Sequence, residues 1–356
     1  MCVGENWGDS HIDPSFHSGP STPFELILPD YIAPKKIVNG VEHTCILSIS
    51  KRVYCFGSNK YYELGDNTKI DSYVPVQVMK EDGSVLEDVM DIEAGYHHNC
   101  AVLSSGLMYC WGDYRQSYGL LKWKGLQWNY EDNIDVTMIA LSNFFTCVVM
   151  KSDTSKVQCK GEKGLYIGCL YHDQIFDMGQ EIIKLTSGMQ HFCVLLIDMT
   201  AKCFGCNYDG QLGNGSTNKT SASAEPVLEE SSGKPLSGIT DINAGDDSTC
   251  LVSYGKPMCF GNNIYSQLGI ANGRADVLYP TALTVALPEG KEVVSVHVGV
   301  WTGHIVFSDN SIYAWGTNVY GTLGDGSEIE TYSHIDKTNK IGDEVGEEAV
   351  EMLFKF

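Results

Sequence analysis

Residues Gly95 to Gly112 run Gly-Tyr-His-His-Asn-Cys-Ala-Val-Leu-Ser-Ser-Gly-Leu-Met-Tyr-Cys-Trp-Gly. Within this stretch Ala101-Val102-Leu103 and Leu107-Met108-Tyr109 flank Ser104-Ser105-Gly106. Two short apolar runs around a small polar turn predict two buried strands joined by a tight hairpin. The same frame recurs outward in both directions. Cys-aromatic-Gly stands at Cys55-Phe56-Gly57, Cys110-Trp111-Gly112, Cys203-Phe204-Gly205 and Cys259-Phe260-Gly261, with Ala314-Trp315-Gly316 as a cysteine-free copy. Cys2-Val3-Gly4 and Cys159-Lys160-Gly161 are weaker copies. Successive anchors lie 53, 55, 49, 44, 56 and 55 residues apart, so seven units of about fifty residues fill the 356-residue chain.

The loops after the anchors repeat as well. They run from Gly57-Ser58-Asn59 to Leu64-Gly65, Gly205-Cys206-Asn207 to Leu212-Gly213, Gly261-Asn262-Asn263 to Leu268-Gly269 and Gly316-Thr317-Asn318 to Leu323-Gly324. Glycine and asparagine are the residues that best tolerate left-handed turns, which is the expected reason for both. A further strand follows, as in Val74-Pro75-Val76-Gln77-Val78, where proline marks a sheet edge. A unit this small cannot cover both faces of its own sheet, so the sheets are expected to stack radially. The expectation is an all-β, seven-bladed β-propeller forming one domain over residues 1–356. Its last blade would be closed by both chain ends: Glu347 to Phe356 resembles the Glu87 to Ile92 segment that precedes a hairpin, and is expected to pack in the same blade as Cys2 to Asn6.

The sequence resembles the regulator of chromosome condensation repeat family over essentially its whole length. Gly-x-x-His-x-Cys at Gly40 to Cys45, Gly95 to Cys100 and Gly188 to Cys193 carries the resemblance, together with the loops just quoted. It implies the seven-bladed propeller. It also implies a protein-binding role, since members of that family include nuclear exchange factors for a small GTPase, extracellular inhibitors of beta-lactamase and domains of larger scaffolds. The units around Cys110 and Cys159 depart from the pattern: Gly112-Asp113-Tyr114 lacks the asparagine, and Gly161-Glu162-Lys163-Gly164 has lost most of the loop.

Ten of the thirteen cysteines fall two to a hairpin: Cys45 with Cys55, Cys100 with Cys110, Cys147 with Cys159, Cys193 with Cys203 and Cys250 with Cys259. The sixth complete hairpin has His304 and Ala314 at the two equivalent places. No hairpin has a single cysteine, and this both-or-neither pattern predicts cross-strand disulfides. Cysteine as a small core residue is the competing reading. Spacings near ten residues do not match zinc-binding Cys-x-x-Cys pairs. Disulfides imply an extracellular or lumenal setting, against a cytoplasmic or nuclear one. Cys2, Cys169 and Cys206 fall outside the pattern, the last two being candidates for a bridge between blades. Two glycosylation sequons, Asn214-Gly215-Ser216 and Asn218-Lys219-Thr220, are compatible with secretion, although about two would arise by chance.

Twenty-four Lys plus Arg against 45 Asp plus Glu give a formal charge of −21, which speaks against nucleic acid as the partner. The longest apolar runs, such as Cys193-Val194-Leu195-Leu196-Ile197, fall far short of the roughly 20 residues of a membrane-spanning helix. No signal peptide follows Met1, and a natural chain extending upstream is one expectation for the unmatched Cys2. Asp325 to Phe356 holds nine Asp or Glu against three Lys, a solvated face or a site for a basic partner.

His43, His98 and His191 share one repeat position, with Thr302 in the last complete unit. They read either as cross-blade hydrogen-bonding groups or as a ring at a ligand mouth. No carboxylate recurs at a fixed offset from them, and no phosphate loop, HExxH or GxSxG is present, so no catalytic set, metal site or cofactor is expected. Aromatics recur in the loops: Trp7, Tyr61, Tyr62, Tyr114, Tyr208, Tyr265 and Tyr320. Tyrosine suits a surface that is partly apolar and also hydrogen-bonds, so a tyrosine-rich rim holding another protein competes with simple packing on the next blade. The reading is a non-enzymatic protein-binding module and a candidate subunit of a larger assembly, with nucleotide exchange on a small GTPase as the alternative.

Overall fold

A computed structural model describes residues 33–40, 42–112, 126–127, 135–143, 145–161, 169–170, 174–218, 223–300, 302–309, 311–317, 340–341 and 350–351. Six antiparallel sheets follow one another through residues 34–77, 89–127, 136–177, 182–226, 239–282 and 293–351. Each is a meander whose strands neighbour one another in chain order. The first strands are Pro34–Asn39, Val89–Ala94, Val136–Leu141, Ile182–Ser187, Ile239–Gly245 and Val293–Val298. From blade one to blade six, each first strand packs against the first strand of the blade that follows it, which places them around a common axis with the fourth strands outermost.

The described residues hold six blades, not the seven expected. The unit assigned to Cys2 lies outside them. Val350–Glu351 does not begin a new blade: it pairs with Tyr313 and Ala314 on the third strand of blade six. Lys340–Ile341 pairs with Thr317 and Gly316 on that same strand. Together these two short segments take the place of the fourth strand there. Their place on this edge corrects the expectation that the chain's last residues precede a hairpin in the manner of Glu87 to Ile92.

Every first strand bonds to its neighbour with one residue bulged, as between Val89 and Asp91 or Val293 and Ser295. The bulge bends the inner strand and increases its twist, as a strand close to a propeller axis requires. Prolines stand in the outer strands at Pro75, Pro226 and Pro280, where the missing N–H blunts an edge.

Each hairpin cysteine faces its partner directly across the ladder, and all five predicted pairs are disulfides with Cα–Cα distances of 4.0–4.1 Å. Directly opposed residues come this close only at non-hydrogen-bonded positions, where a short cross-link fits. The pairs are buried in the layers between blades, beside rings such as Trp111, Phe260 and Trp315. Phe204 stacks on Phe176 of the preceding blade with ring centroids 4.0 Å apart. A ring so enclosed costs about 3–5 kcal/mol on truncation to alanine.

The histidine motif has a steric basis. A Cβ on Gly40, Gly95 or Gly188 would lie 2.0–2.4 Å from Cε1 of His43, His98 or His191, so each imidazole lies over the space a side chain would fill. Blade three has Ser142 in place of the glycine and Phe145 in place of the histidine.

Candidate functional site

The meander order sends the loops between first and second strands, and those between third and fourth, to one face of the ring. Hairpins between second and third strands open on the other. The loop face therefore carries Tyr61, Tyr62, Tyr208 and Tyr265. Tyr61 and Tyr208 are 43% and 50% exposed, and Tyr265 is half-buried. Tyr62 is half-buried beneath Lys69, whose Nζ lies 4.7 Å from its ring centre, so it is not a free rim residue. Trp7, Tyr114 and Tyr320 lie outside the described residues.

Asparagine shapes these loops through its side chain, not through a left-handed backbone. Asn59, Asn207 and Asn263 each accept the N–H of the leucine of Leu-Gly at 3.0 Å. Each also donates its amide across the loop, to Asp66, Asn214 and Asn272 respectively. The brace holds the tyrosines on a rigid base.

The histidines are seam residues, not a ring at a mouth. His43 Nε2 lies 2.8 Å from Asn99 Oδ1 of the next blade, and His191 Nε2 lies 2.8 Å from Thr249 Oγ1 of the next. The cross-blade reading holds, with side chains in place of backbone as partners. Burial pushes both His98 and His191 down to about 3, with His43 and His97 adding to the effect at His98, so these imidazoles are neutral at physiological pH.

One position at the seams escaped the sequence reading. Glu63, Gln211 and Gln267 each precede Leu-Gly. Glu63 approaches His97 of the next blade, Oε1 to Nδ1 at 3.0 Å, and Gln211 Nε2 donates to Asp247 of the next at 3.2 Å. Both Glu63 and His97 are buried, with the His97 ring 4.7 Å from both Tyr61 and Tyr96. Aligning the residue before Leu-Gly across the units is the signal that finds this pair.

Carboxylates gather on the loop face at blades four and five. Burial, then Asp246 and Asp209, push Asp247 up to about 6. Burial and Asp209 raise Asp246 and Asp276 as well. Asp246 and Asp247 lie between first and second strands of blade five, and Asp209 lies in the tyrosine-bearing loop of blade four.

Charges also line the axis. Lys36 Nζ bonds Asp91 at 2.8 Å and Glu93 at 2.6 Å, and Lys184 bonds Asp241 at 2.6 Å and Asn243 at 2.8 Å. Burial holds Glu93 above the ordinary carboxylate range despite Lys36 beside it. These side chains join consecutive blades through first strands. Cys169 and Cys206 form the bridge between blades three and four that was one reading of their position. Among the described residues no group of three or more His, Cys, Asp or Glu is placed to hold a metal ion. No described helix is long and apolar enough to cross a membrane.

Profiles of the Regulator of chromosome condensation (RCC1) repeat match residues 51–102 and 203–252, and a second profile of that repeat matches 35–63 and 89–119. The chain is 26% identical over 336 residues to Regulator of chromosome condensation of Mus musculus, covering 85% of this chain and 76% of that protein. It is 25% identical over 329 residues to the ultraviolet-B receptor UVR8 of Arabidopsis thaliana, covering 91% of this chain and 62% of the other. Human WBSCR16 shares the fold, with a TM-score of 0.72 at 14% identity over 97% of this chain and 92% of that one. Yeast RCC1 does so with a TM-score of 0.68 at 18% identity, over 89% and 74%. Braced loops, hairpin anchors and blade seams repeat in register, and residues 35–119 and 203–252 are repeats of the regulator of chromosome condensation type.

Proposed function

We propose that this propeller, a single domain over residues 1–356, is a non-enzymatic module that holds a partner protein on its loop face. The observation that carries the reading is the placing of Tyr208 and Tyr265 on the same two blades of that face as the carboxylates of Asp209, Asp246 and Asp247, with Tyr61 on the same face at blade one. Exposed tyrosine on a braced loop supplies contact area at low entropy cost. Crowded carboxylates favour a partner segment bearing Lys or Arg, which relieves their repulsion and speeds encounter. Six disulfides support an extracellular or lumenal setting.

Binding of a purified partner, measured by surface plasmon resonance on the full chain, tests the face. Tyr208→Ala and Tyr61→Ala are expected to weaken it about tenfold each, the range of an interface anchor. Tyr254→Ala, on the hairpin face, leaves it unchanged. Equal loss from Tyr254→Ala moves the surface to the other face. Exchange on a small GTPase is the second reading, favoured by the match to Regulator of chromosome condensation over 85% of the chain. Accelerated nucleotide release from a small GTPase by the full chain would establish it in place of the first.

A further inference from the structure

Asn214 and Asn218, the acceptor residues of the two sequons, both follow the third strand of blade four but differ in kind, and Lys219 and Thr220 lie outside the described residues. Asn214-Gly215-Ser216 is the local form of a turn that the other blades also build. Its counterparts are Asp66-Asn67-Thr68 in blade one and Asn272-Gly273-Arg274 in blade five, and the middle residues Asn67, Gly215 and Gly273 all have positive φ of 65–75°. Asn214 Oδ1 accepts from Asn207 Nδ2 at 3.1 Å, Ser216 N at 3.2 Å and Ser216 Oγ at 3.0 Å. Asp66 Oδ1 accepts from Asn59 Nδ2, Thr68 N and Thr68 Oγ1 in the same way. A carboxylate does this work in blade one, so the amide at 214 and the hydroxyl at 216 are accounted for by the brace. Gly215 is moreover pressed against blade five, its N–H donating to Leu278 O and its missing Cβ pointing at the Tyr279 hydroxyl.

Asn218 has none of these duties. Counting from the shared hydroxyl position, Thr68 and Ser216, it corresponds to Ile70, which is 73% exposed. Asn218 is itself exposed, and its backbone N–H donates to Ser216 Oγ at 3.5 Å. We propose that Asn218 is an N-glycan acceptor site and that Asn214 is not.

This assignment rests on the lumenal setting proposed above. The donor is a polyisoprenyl diphosphate-linked oligosaccharide. The Asn218 side-chain nitrogen forms a bond to the anomeric carbon as the bond from that carbon to the diphosphate oxygen breaks. The diphosphate leaves with the electron pair, and one amide proton is lost to a base of the transferase. The glycan then stands on the tyrosine-bearing loop of blade four, at the margin of the face that carries Tyr208.

The test is the full chain driven into the secretory pathway of a eukaryotic host by an added leader, with intact mass read before and after peptide N-glycosidase treatment in 18O water. One glycan is expected, with the 18O-labelled aspartate at position 218. Asn218→Gln and Thr220→Ala each abolish it. Asn214→Asp, which reproduces the Asp66 brace, leaves it in place. An unmodified secreted chain, or a glycan at 214, overturns the assignment. Because the leader imposes the compartment, such a result is distinct from failure of the lumenal reading, which the thiol state of the protein from its own source decides.

Discussion

Asp247 gives the loop face a measurable cost. Burial and the neighbouring Asp246 and Asp209 bring its carboxyl up to about 6, whereas an aspartate in an unfolded chain titrates near ~3.9. The folded protein therefore holds this proton more tightly. Stability falls as pH rises from about 4 to about 6, and stays lower above that range. Two pH units correspond to about 3 kcal/mol at full strength. Water at this half-exposed carboxyl screens the interaction, leaving about 1–2 kcal/mol.

Asp247→Asn removes the charge and keeps an Oδ1 that can accept from Gln211 Nε2. The variant is expected to be more stable than the parent by about 1–2 kcal/mol near pH 7.5, and equal to it below about pH 4. With an unfolding entropy of about 2 cal/mol/K per residue, that gain raises Tm by about 2 °C. Scanning calorimetry under non-reducing conditions at the two pH values reads both numbers. Asp309 is an internal control of opposite sign, because Ser311, then Lys291, hold its carboxyl down to about 2, so Asp309→Asn lowers Tm at pH 7.5. An Asp247→Asn gain that is the same at both pH values, or absent at pH 7.5, would refute the carboxylate-crowding argument. If the variant is more stable and also binds partner less well, the crowded charge is a functional feature retained against stability.

Gly95→Ala places a methyl 2.4 Å from His98 Cε1 and 2.9 Å from both ring nitrogens, and is expected to cost about 1–3 kcal/mol as overpacking. His98→Ser in the same chain recovers part of the loss, and strictly additive denaturation energies for the two changes would show that the ring is not the obstacle. Thiol titration in denaturant without reductant should find one reactive cysteine, Cys2, since six disulfides engage the other twelve. Replacing Cys100 and Cys110 together by alanine should lower stability by about 2–3 kcal/mol, and thirteen titratable thiols would dismiss the pairing.

The hairpins were legible because each needs only local pattern: Cys100 and Cys110 face each other by register, and the alternation that buries them is written in Ala101 to Tyr109. The pairing of Val350 and Glu351 was not legible, because strand pairing near a chain end depends on which blade has an open edge. Val350 and Glu351 fill the edge of blade six, whereas their likeness to Glu87 to Ile92 suggested an inner strand. The tyrosines were found as recurrent loop residues, yet Tyr62 lies under Lys69 while Tyr61 reaches the next blade's His97. Periodicity carried no information on which of the two is free.

The seams explain why the remaining features were hidden. A repeat is recognised by what its copies share, but a binding face differs from blade to block-mate through what they do not share. Glu63, Gln211 and Gln267 occupy one position and meet His97, Asp247 and their own loop's Asn262 respectively. The scaffold needs only a polar chain there that can reach a neighbour. Its charge is free to vary, and this makes one seam a histidine–carboxylate contact flanked by tyrosines and another a crowded group of aspartates. Selection for a partner can thus act on these seam positions while the leucine, glycine and asparagine that brace each loop stay fixed.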